Sequence, residues 1–396
     1  MSKIIKIYLF FTISLNIGIV QAQWLVEKCP TENDLNAISL VDSHTGWIVG
    51  DKGTILYKSG NDWKEYQKLT GKDLNSVFMI NSKDGWAVGD EGTIIRYNAN
   101  YWELVTSPTK HNLLSVSFRD SENGICVGDL GTILIFKDGI WNLVENEVRG
   151  NLYSVYYERN GAWIGGGLEC VNVPLIKMGI NDNNLTYVSN PYPSVNSICL
   201  SNENNGWAVG SPNTILHFDG ANWEKENISY DFPSLISVSF SLENSGISVG
   251  YAGTILVYNN GTWIKEYSLT NQNLKGSAIS GNTYYAVGQG GTIITKKPTE
   301  TDNYTYLSEK EPEQIRVFPN PCSDILNIIF PKIIANEDIL VSIVDKSGQI
   351  IKQKQYNSLG GNLSYPMVIS ELKNGLYFLK AVADSKTSTV KFVVKH

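Results

Sequence analysis

The feature that most constrains the fold is a segment of about forty residues that recurs seven times along the chain. Its clearest copy reads Gly-Trp-Ala-Val-Gly-Asp-Glu-Gly-Thr-Ile-Ile at residues 85–95, and each copy contains one anchoring glycine. Successive anchoring glycines lie 39, 39, 38, 44, 40 and 38 residues apart. They are Gly50, Gly89, Gly128, Gly166, Gly210, Gly250 and Gly288. A period of this length indicates a repeat architecture in which each unit packs on its neighbours.

Each unit contains four short runs of apolar or alternating residues bounded by Gly, Asn and Asp, which is the pattern of antiparallel strands. Four strands in about forty residues is the period of a β-propeller blade. We therefore predict an all-β fold in which residues 23–297 form a seven-bladed β-propeller. The fourth unit has Gly165-Gly166-Gly167 in place of the usual turn, so a ring of six blades is the alternative.

The two ends of the array indicate how the ring closes. Most units end in a strand that opens with tryptophan, whereas the seventh unit stops at Lys297 without one. Residues 24–27, Trp-Leu-Val-Glu, resemble the fourth strand of the third unit, Trp-Asn-Leu-Val at 141–144. We expect the mature N-terminus to supply the outer strand of the last blade, which pairs an edge that would otherwise aggregate. The recurring tryptophans are expected to pack between blades.

One column of glycines marks the turn between the second and third strands. It consists of Gly53, Gly92, Gly131, Gly253 and Gly291. The fifth unit has Asn213 at this position, and asparagine is the residue that best replaces glycine at positive φ. The column therefore predicts a tight turn in each unit.

Residues 1–22 have the organisation of a signal peptide. Lys3 and Lys6 precede a mostly apolar run over residues 7–20, and small residues lead to Ala22. The mature chain is expected to start at Gln23. A permanent membrane span is the weaker alternative, because a spanning helix needs about 20 apolar residues and no later segment is long and apolar enough. Five cysteines are too few and odd in number to predict a disulfide framework.

A second domain follows the repeats. Residues 298–314 are polar and carry two prolines, which is typical of a linker. Residues 315–396 contain apolar runs separated by turns and are predicted to form a small β-sandwich. Their motifs are Phe-Pro-Asn-Pro at 318–321, Asp-Lys-Ser-Gly at 345–348, Asn-Gly-Leu-Tyr at 374–377 and Lys-Phe-Val-Val-Lys at 391–395.

This ordered set of motifs closely resembles the type A C-terminal sorting domain of the type IX secretion system of Bacteroidota. The resemblance implies transport across the outer membrane, with residues 315–396 as the part that contacts the secretion machinery. It also implies removal of this domain by a sortase, followed by attachment to surface polysaccharide or release. We therefore expect a secreted protein or one displayed on the outer-membrane surface.

The propeller is similar to the photosystem II assembly and stability factors and to their bacterial relatives with neuraminidase-type repeats. The resemblance rests on the Gly-Trp-x-Val-Gly-x-x-Gly-Thr-Ile-Leu pattern and on turns such as Asp-Gly-Ile-Trp at 138–141. It implies a propeller scaffold. The photosynthetic role does not transfer, because those factors are described as using a basic arginine patch and residues 23–297 contain only Arg96, Arg119, Arg149 and Arg159.

The charge of the chain excludes one class of partner. Lys and Arg number 32 against 39 Asp and Glu, which gives a net charge of -7. A basic surface that could bind a phosphate backbone is not expected, so nucleic acid is not a predicted partner.

The search for a catalytic site gives mostly negative results. Residues 246–250 match the G-x-S-x-G pattern, but Ser248 lies within a predicted strand and shares its column with Ala87 and Cys126. The four histidines are scattered, so neither a metal site nor a cofactor is predicted. Two carboxylates that converge from different blades could still hydrolyse a glycoside.

Candidate binding residues lie in the second-to-third-strand turns and in the connections between blades. The column after the anchoring glycine holds Asp51, Asp90 and Asp129 in adjacent blades and Tyr251 in the sixth. Three carboxylates suit a cation or a basic partner, but the alternative that we favour is bonding to the turn backbone. The connections add His111, Arg149, Tyr192 and Tyr230. Tyrosines on rigid loops suit the recognition of proteins or glycans.

These features predict a secreted or surface-displayed, non-catalytic binding or adhesion propeller. The expected partner is an extracellular protein or glycan. The alternative function is a carbohydrate-active enzyme or lectin of the extracellular space.

Overall fold

The computed structural model describes residues 24–167, 175–179, 184–188, 193–241, 245–259, 261–297, 315–318, 325–329, 339–356, 364–383 and 386–395. The chain divides into two compact units, Met1–Thr301 and Asp302–His396. The predicted signal peptide at 1–22 and the predicted linker at 298–314 lie outside the described residues.

The first unit consists of seven four-stranded antiparallel sheets. Its strands are β1 (Leu25–Val26), β2 (Leu35–Leu40), β3 (Gly46–Gly50), β4 (Thr54–Ser59), β5 (Asp62–Glu65), β6 (Leu74–Asn81), β7 (Asp84–Gly89), β8 (Ile94–Tyr97), β9 (Trp102–Val105), β10 (Leu113–Asp120), β11 (Asn123–Gly128), β12 (Ile133–Lys137), β13 (Ile140–Leu143), β14 (Leu152–Glu158), β15 (Gly161–Gly166), β16 (Leu175–Met178), β17 (Leu185–Tyr187), β18 (Val195–Asn202), β19 (Asn205–Gly210), β20 (Ile215–Phe218), β21 (Trp223–Lys225), β22 (Leu235–Phe240), β23 (Gly246–Gly250), β24 (Ile255–Asn259), β25 (Thr262–Glu266), β26 (Leu274–Ser280), β27 (Thr283–Gly288) and β28 (Thr292–Lys296). Blades one to six each use four consecutive strands, from β2–β5 to β22–β25, and blade seven combines β26–β28 with β1.

The seven sheets form a closed ring. The first strand of each blade contacts the first strand of the next, and β26 of blade seven contacts β2 of blade one. Blade four is a complete sheet of β14, β15, β16 and β17, so the alternative of six blades is wrong. The seven-bladed all-β propeller predicted from the repeat is confirmed.

Aromatic packing joins neighbouring blades. The second strands, such as β3 and β15, are buried along their whole length because both faces of each blade lie against other blades. Tryptophans of second strands meet tryptophans of the next blade's fourth strand edge to face. These pairs are Trp47–Trp102, Trp86–Trp141 and Trp163–Trp223, with ring centroids 5.3, 5.5 and 5.5 Å apart. The predicted role of the tryptophans in packing between blades is therefore observed.

The N-terminal strand closes the ring, as the sequence predicted. In the pairing of β1 with β28, Leu25 lies opposite Thr295 and Val26 lies opposite Ile294. The backbone N–H of Glu27 continues the pairing by donating to the Ile293 carbonyl at 2.9 Å. The three remaining strands of blade seven therefore gain a fourth.

Side chains beside β1 bond to the blades on either side of it. Trp24 is buried in a cluster with residues of blades six and seven, and its indole N–H donates to Glu266 Oε2 at 2.7 Å. Towards blade one, the Trp63 indole N–H donates to Glu27 Oε2 at 2.8 Å. The N-terminal segment thus connects blade six to blade one through blade seven.

Two buried lysines lie on the two sides of the N-terminal segment, Lys58 in blade one and Lys296 in blade seven. Lys58 and Lys296 are the charged side chains that are buried among the described propeller residues. Lys58 Nζ lies 3.8 Å from Glu27 and 4.8 Å from the centre of the Trp63 ring, and Lys296 Nζ lies 2.6 Å from Glu266. Burial lowers the pKa of Lys58, and the Glu27 carboxylate opposes this effect.

A second ionic contact joins blades seven and one near the inner strands. Lys275 Nζ lies 2.9 Å from Asp34 Oδ2 and 2.9 Å from Asn36 Oδ1. The Gly290 N–H donates to Asp34 Oδ1 at 3.0 Å. Burial acts to raise the pKa of Asp34, but the Gly290 hydrogen bond and Lys275 together outweigh it, so this pKa lies below its ordinary value.

The second unit contains two antiparallel sheets over one core. Its strands are β29 (Arg316–Phe318), β30 (Ile325–Ile329), β31 (Ile339–Val344), β32 (Ile350–Tyr356), β33 (Ser364–Val368), β34 (Gly375–Ala383) and β35 (Lys386–Val394). The first sheet has the order β29-β30-β33, and the second has the order β32-β31-β34-β35. Leu326 and Met367 of the first sheet share a buried cluster with Val341, Leu379 and Phe392 of the second. This arrangement is the predicted small β-sandwich.

Replacement of Trp24 by alanine is expected to lower the free energy of unfolding by about 3–5 kcal/mol, because a large buried ring is removed and a cavity remains. Chemical denaturation of the propeller transition measures the loss. Leu25→Ala is the control, since Leu25 is the next residue along the chain but is 61% exposed. Equal effects of the two substitutions would contradict a closing role for the Trp24 ring.

Asp34→Asn is expected to make the stability of the propeller less dependent on acid pH. The folded-state pKa of Asp34 is lowered, so its contribution is present above the unfolded value of 3.8 and is lost as pH falls through the folded value. The difference in melting temperature between wild type and variant should therefore be present at neutral pH and shrink below about pH 4. A difference that stays constant down to about pH 2 would show that the charge of Asp34 is not what stabilises closure.

Candidate binding face

The candidate binding face, called the turn face here, consists of the turns after the second strands and the connections that lead into the next blade. At five junctions the backbone N–H of a turn residue donates to the side chain that precedes the next blade. The pairs are Lys52–Asp73 at 2.7 Å, Glu91–Asn112 at 2.9 Å, Leu130–Asn151 at 3.1 Å, Ala252–Asn273 at 2.9 Å and Gly290–Asp34 at 3.0 Å. Because these five turns are each bonded to the chain that leads into a neighbouring blade, the part of the turn face that they form is a rigid platform.

The three aspartates of the turn face hold asparagine side chains in place. In blade two, the Asn75 amide donates to Asp90 Oδ1 at 2.9 Å and to the Leu113 carbonyl of blade three at 3.0 Å. In blade one the equivalent Asn36 amide donates to Asp51 Oδ1 at 2.9 Å. In blade three a different residue, Asn112, which precedes β10, donates its amide to Asp129 Oδ2 at 3.0 Å. The carboxylates therefore have a structural partner, although it is an asparagine amide of the same blade and not the turn backbone.

Each of these carboxylates is only half-buried and keeps free acceptor positions, so a donor group on a partner can still reach it. Within the described parts of the chain, no group of three or more His, Cys, Asp or Glu residues is placed to hold a metal ion. The three aspartates belong to separate turns in blades one, two and three.

Apolar side chains are exposed on other parts of the turn face. Tyr251 of blade six is 48% exposed, and Leu130 of blade three is 62% exposed. Tyr153, at the start of blade four, is 37% exposed, and its ring lies against the backbone of Gly167. Leu130 and Tyr153 flank one junction, because the Leu130 N–H donates to Asn151, two residues before Tyr153. Neither residue supplies the buried packing that holds the blades together.

Tyr251 was predicted from the sequence, whereas Leu130 and Tyr153 were not. Leu130 occupies the position of Lys52 and Glu91, and Tyr153 occupies the position of Asn75. The same two columns also hold Ala252 and Leu114, so residue type in the column did not single out Leu130 or Tyr153.

The other predicted residues differ in their exposure. His111 is exposed, and its Nδ1 lies 2.7 Å from Thr132 Oγ1. Arg149 is exposed in the connection between blades three and four. Tyr230 is half-buried; its hydroxyl donates to the Trp263 carbonyl at 3.0 Å, and burial raises its pKa to about 12. The Tyr230 hydroxyl is thus used within the fold, and Tyr192 lies outside the described residues.

The residues that resemble nucleophiles are buried in strands. Ser248 has no exposed surface, and its hydroxyl donates to the Ser237 carbonyl at 2.9 Å. Burial raises the pKa of the Cys126 thiol well above its ordinary value. Cys199 is also a free thiol, and Cys170 lies outside the described residues. Neither Ser248 nor Cys126 can reach a ligand on the turn face.

Comparison with known proteins gives a different match for each of the two units. The family model described as the secretion system C-terminal sorting domain matches residues 316–395. No curated protein matches the chain. Among the helices of the described residues, none is long and apolar enough to cross a membrane.

The propeller has relatives among solved structures. A structure of YCF48 bound to a D1 peptide is 16% identical, with a TM-score of 0.58 over 70% of this chain and 95% of that chain. YCF48 from Cyanidioschyzon merolae is 15% identical, with a TM-score of 0.56 over 69% of this chain and 98% of that chain. The WD40 repeats of RRP9 are 10% identical, with a TM-score of 0.59 over 70% of this chain and all of that chain. Identities this low show a shared fold alone.

The sorting domain indicates transport to the cell surface or the extracellular space through the secretion machinery that reads it. The chain therefore carries a seven-bladed propeller with a YCF48-like fold, followed by a secretion system C-terminal sorting domain at residues 316–395.

Proposed function

We propose that the protein is a secreted or surface-displayed, non-catalytic binding propeller whose turn face takes an exposed segment of another extracellular protein. The observation that carries this proposal is the group of apolar side chains on the rigid turn face, at Leu130, Tyr153 and Tyr251. Such side chains lose unfavourable contact with water when a partner covers them. A rigid platform also keeps the ordering cost of binding low.

The expected ligand is a peptide segment with both apolar and basic side chains. An apolar side chain fits the junction at Leu130 and Tyr153, and a basic side chain fits the half-buried carboxylates of Asp90 and Asp129. The similar propeller YCF48 has been solved with a D1 peptide, which supports a peptide as a ligand class for this fold. The net charge of -7 agrees with a basic partner.

A non-enzymatic role is part of the proposal. Support comes from the burial of Ser248 and Cys126 and from the asparagine amides that each of the three aspartates binds. A carbohydrate-active enzyme is the alternative, and release of reducing sugars from a glycan panel by the purified protein would establish it.

Leu130→Asn is expected to weaken peptide binding by about tenfold, a loss of about 1.4 kcal/mol, because a contact of the turn face is removed. Asparagine tolerates the φ of 53° at this position, so the turn should be preserved. The measurement is fluorescence polarisation with the strongest binders from an array of basic and apolar peptides, using the full chain.

Leu104→Asn is the matched control, since Leu104 is also 62% exposed but lies on the outer strand β9. Its affinity should equal that of the wild type. The proposal fails if no peptide binds, or if the two variants lose affinity equally.

A further inference from the structure

The connection between blades five and six departs from the repeat in two ways at once. In the five other connections that start from a fourth-strand tryptophan, the next blade begins 11 residues later, as from Trp63 to Leu74. From Trp223 to Leu235 the spacing is 12 residues. The same junction has Asn213 where the other turns of the column have glycine.

In the regular junctions the turn glycine lies against the connection without a gap. A Cβ added to Gly53 would lie 2.0 Å from the Thr70 carbonyl oxygen, and one added to Gly92 would lie 2.1 Å from that of Thr109. Gly131, Gly253 and Gly291 approach their connections in the same way, at 2.0, 1.9 and 2.0 Å. Only a residue without a side chain permits this approach, so no space remains between turn and connection.

Asn213 instead bonds the connection through its side chain as well as through its backbone. Its φ is 57°, its Nδ2 donates to Asp231 Oδ1 at 2.8 Å, and its Oδ1 accepts from the Phe232 N–H at 2.7 Å. Its own N–H donates to the Phe232 carbonyl at 3.2 Å, three residues before Leu235. In blade three the Gly131 N–H reaches a carbonyl only two residues before the next blade, that of Gly150. The additional residue of the connection between blades five and six therefore lies between Phe232 and the start of β22.

A pocket of about 410 Å³ lies at this junction. This volume is within the range of roughly 300–1,000 Å³ that small-molecule sites occupy. The polar lining residues are Asn213, Lys225, Glu226, Asn227 and Asp231, beside the ring of Tyr230.

The aromatic part of the wall is fixed before any ligand arrives. Phe232 is buried in the core cluster of blades five and six. The Tyr230 hydroxyl is anchored on the Trp263 carbonyl, and its ring lies 6.3 Å from that of Phe232. A preformed wall lowers the cost of ordering a ligand.

We propose that this pocket binds a neutral saccharide unit of one or two rings. Sugar hydroxyls both donate and accept hydrogen bonds, and the lining offers donors at Lys225 and Asn227 and acceptors at Glu226 and Asp231. The C–H face of a sugar ring packs on an aromatic side chain, which Tyr230 supplies. The carboxylates of Glu226 and Asp231 are balanced by Lys225 and by Lys265, whose charge acts on Asp231, so the site suits a neutral ligand better than an ionic one. This site is separate from the exposed apolar residues of the turn face and does not depend on the peptide proposal.

The test is saturation-transfer NMR and calorimetry of the full chain with glucose, galactose, mannose, N-acetylglucosamine and their disaccharides, with sialic acid as the anionic comparison. Saturable binding of at least one neutral sugar at millimolar concentration is expected, since open polar pockets bind weakly. The same sugars presented on immobilised glycans distinguish a free saccharide from the end of a glycan chain as the natural source.

Asn227→Trp fills the pocket from an exposed position and is expected to weaken binding by about tenfold or more. Gln67→Trp is the matched control, because Gln67 is exposed and also lies four residues after a fourth-strand tryptophan, in blade one. It should bind as the wild type does. Absence of binding to every neutral sugar overturns the proposal, and so does binding that Asn227→Trp leaves unchanged or that both variants lose equally.

Discussion

Ring closure is the constraint on which the rest of the structure depends, because every blade buries both faces on its neighbours. Blade seven is assembled from two distant parts of the chain, and an ion pair of a buried lysine lies on each side of it. Lys58 of blade one faces Glu27, and Lys296 of blade seven faces Glu266 of blade six, which also accepts from the Trp24 indole. A buried lysine without a partner is costly, and Trp24 and Glu27 flank β1, so these contacts favour one placement of the two-residue strand over any shifted one. Trp24 then adds the apolar burial that such a short strand cannot provide.

Hydrogen bonds between successive blades explain why the turn face is rigid. Turn N–H groups, carboxylates and asparagine amides bond to one another across successive blades, so the regular columns of the repeat are already used for structure. Asp90 shows this most clearly, because it holds the Asn75 amide that also reaches the Leu113 carbonyl of the next blade. A ligand must therefore be recognised by side chains that leave their column, or by acceptor positions that the network does not use.

Most of the fold could be predicted from the sequence because its signals are local and repeated. The glycine column specifies the turns, and the alternating runs specify the strands. The seventh unit lacks a fourth strand of its own, which specifies the role of β1. The site was harder to predict. Tyr230 resembles an exposed loop aromatic in sequence, but its burial depends on the Trp263 carbonyl of another blade. The aspartates were expected to bond their own turns, and the asparagines that bond them are visible only once the strands are side by side. Leu130 and Tyr153 were missed because their columns hold both polar and apolar residues, so residue type alone does not indicate which side chains are exposed.

Irregularity is where this propeller can differ in function from others with the same scaffold. A regular junction has no room for a ligand, since glycine brings turn and connection into contact. One added residue and one asparagine change this at blades five and six, and two apolar replacements change the surface at blades three and four. These changes leave the closing contacts at blades six, seven and one untouched. Variation is thus separated in space from the junction whose loss would open the ring, which allows binding surfaces to change without loss of the fold.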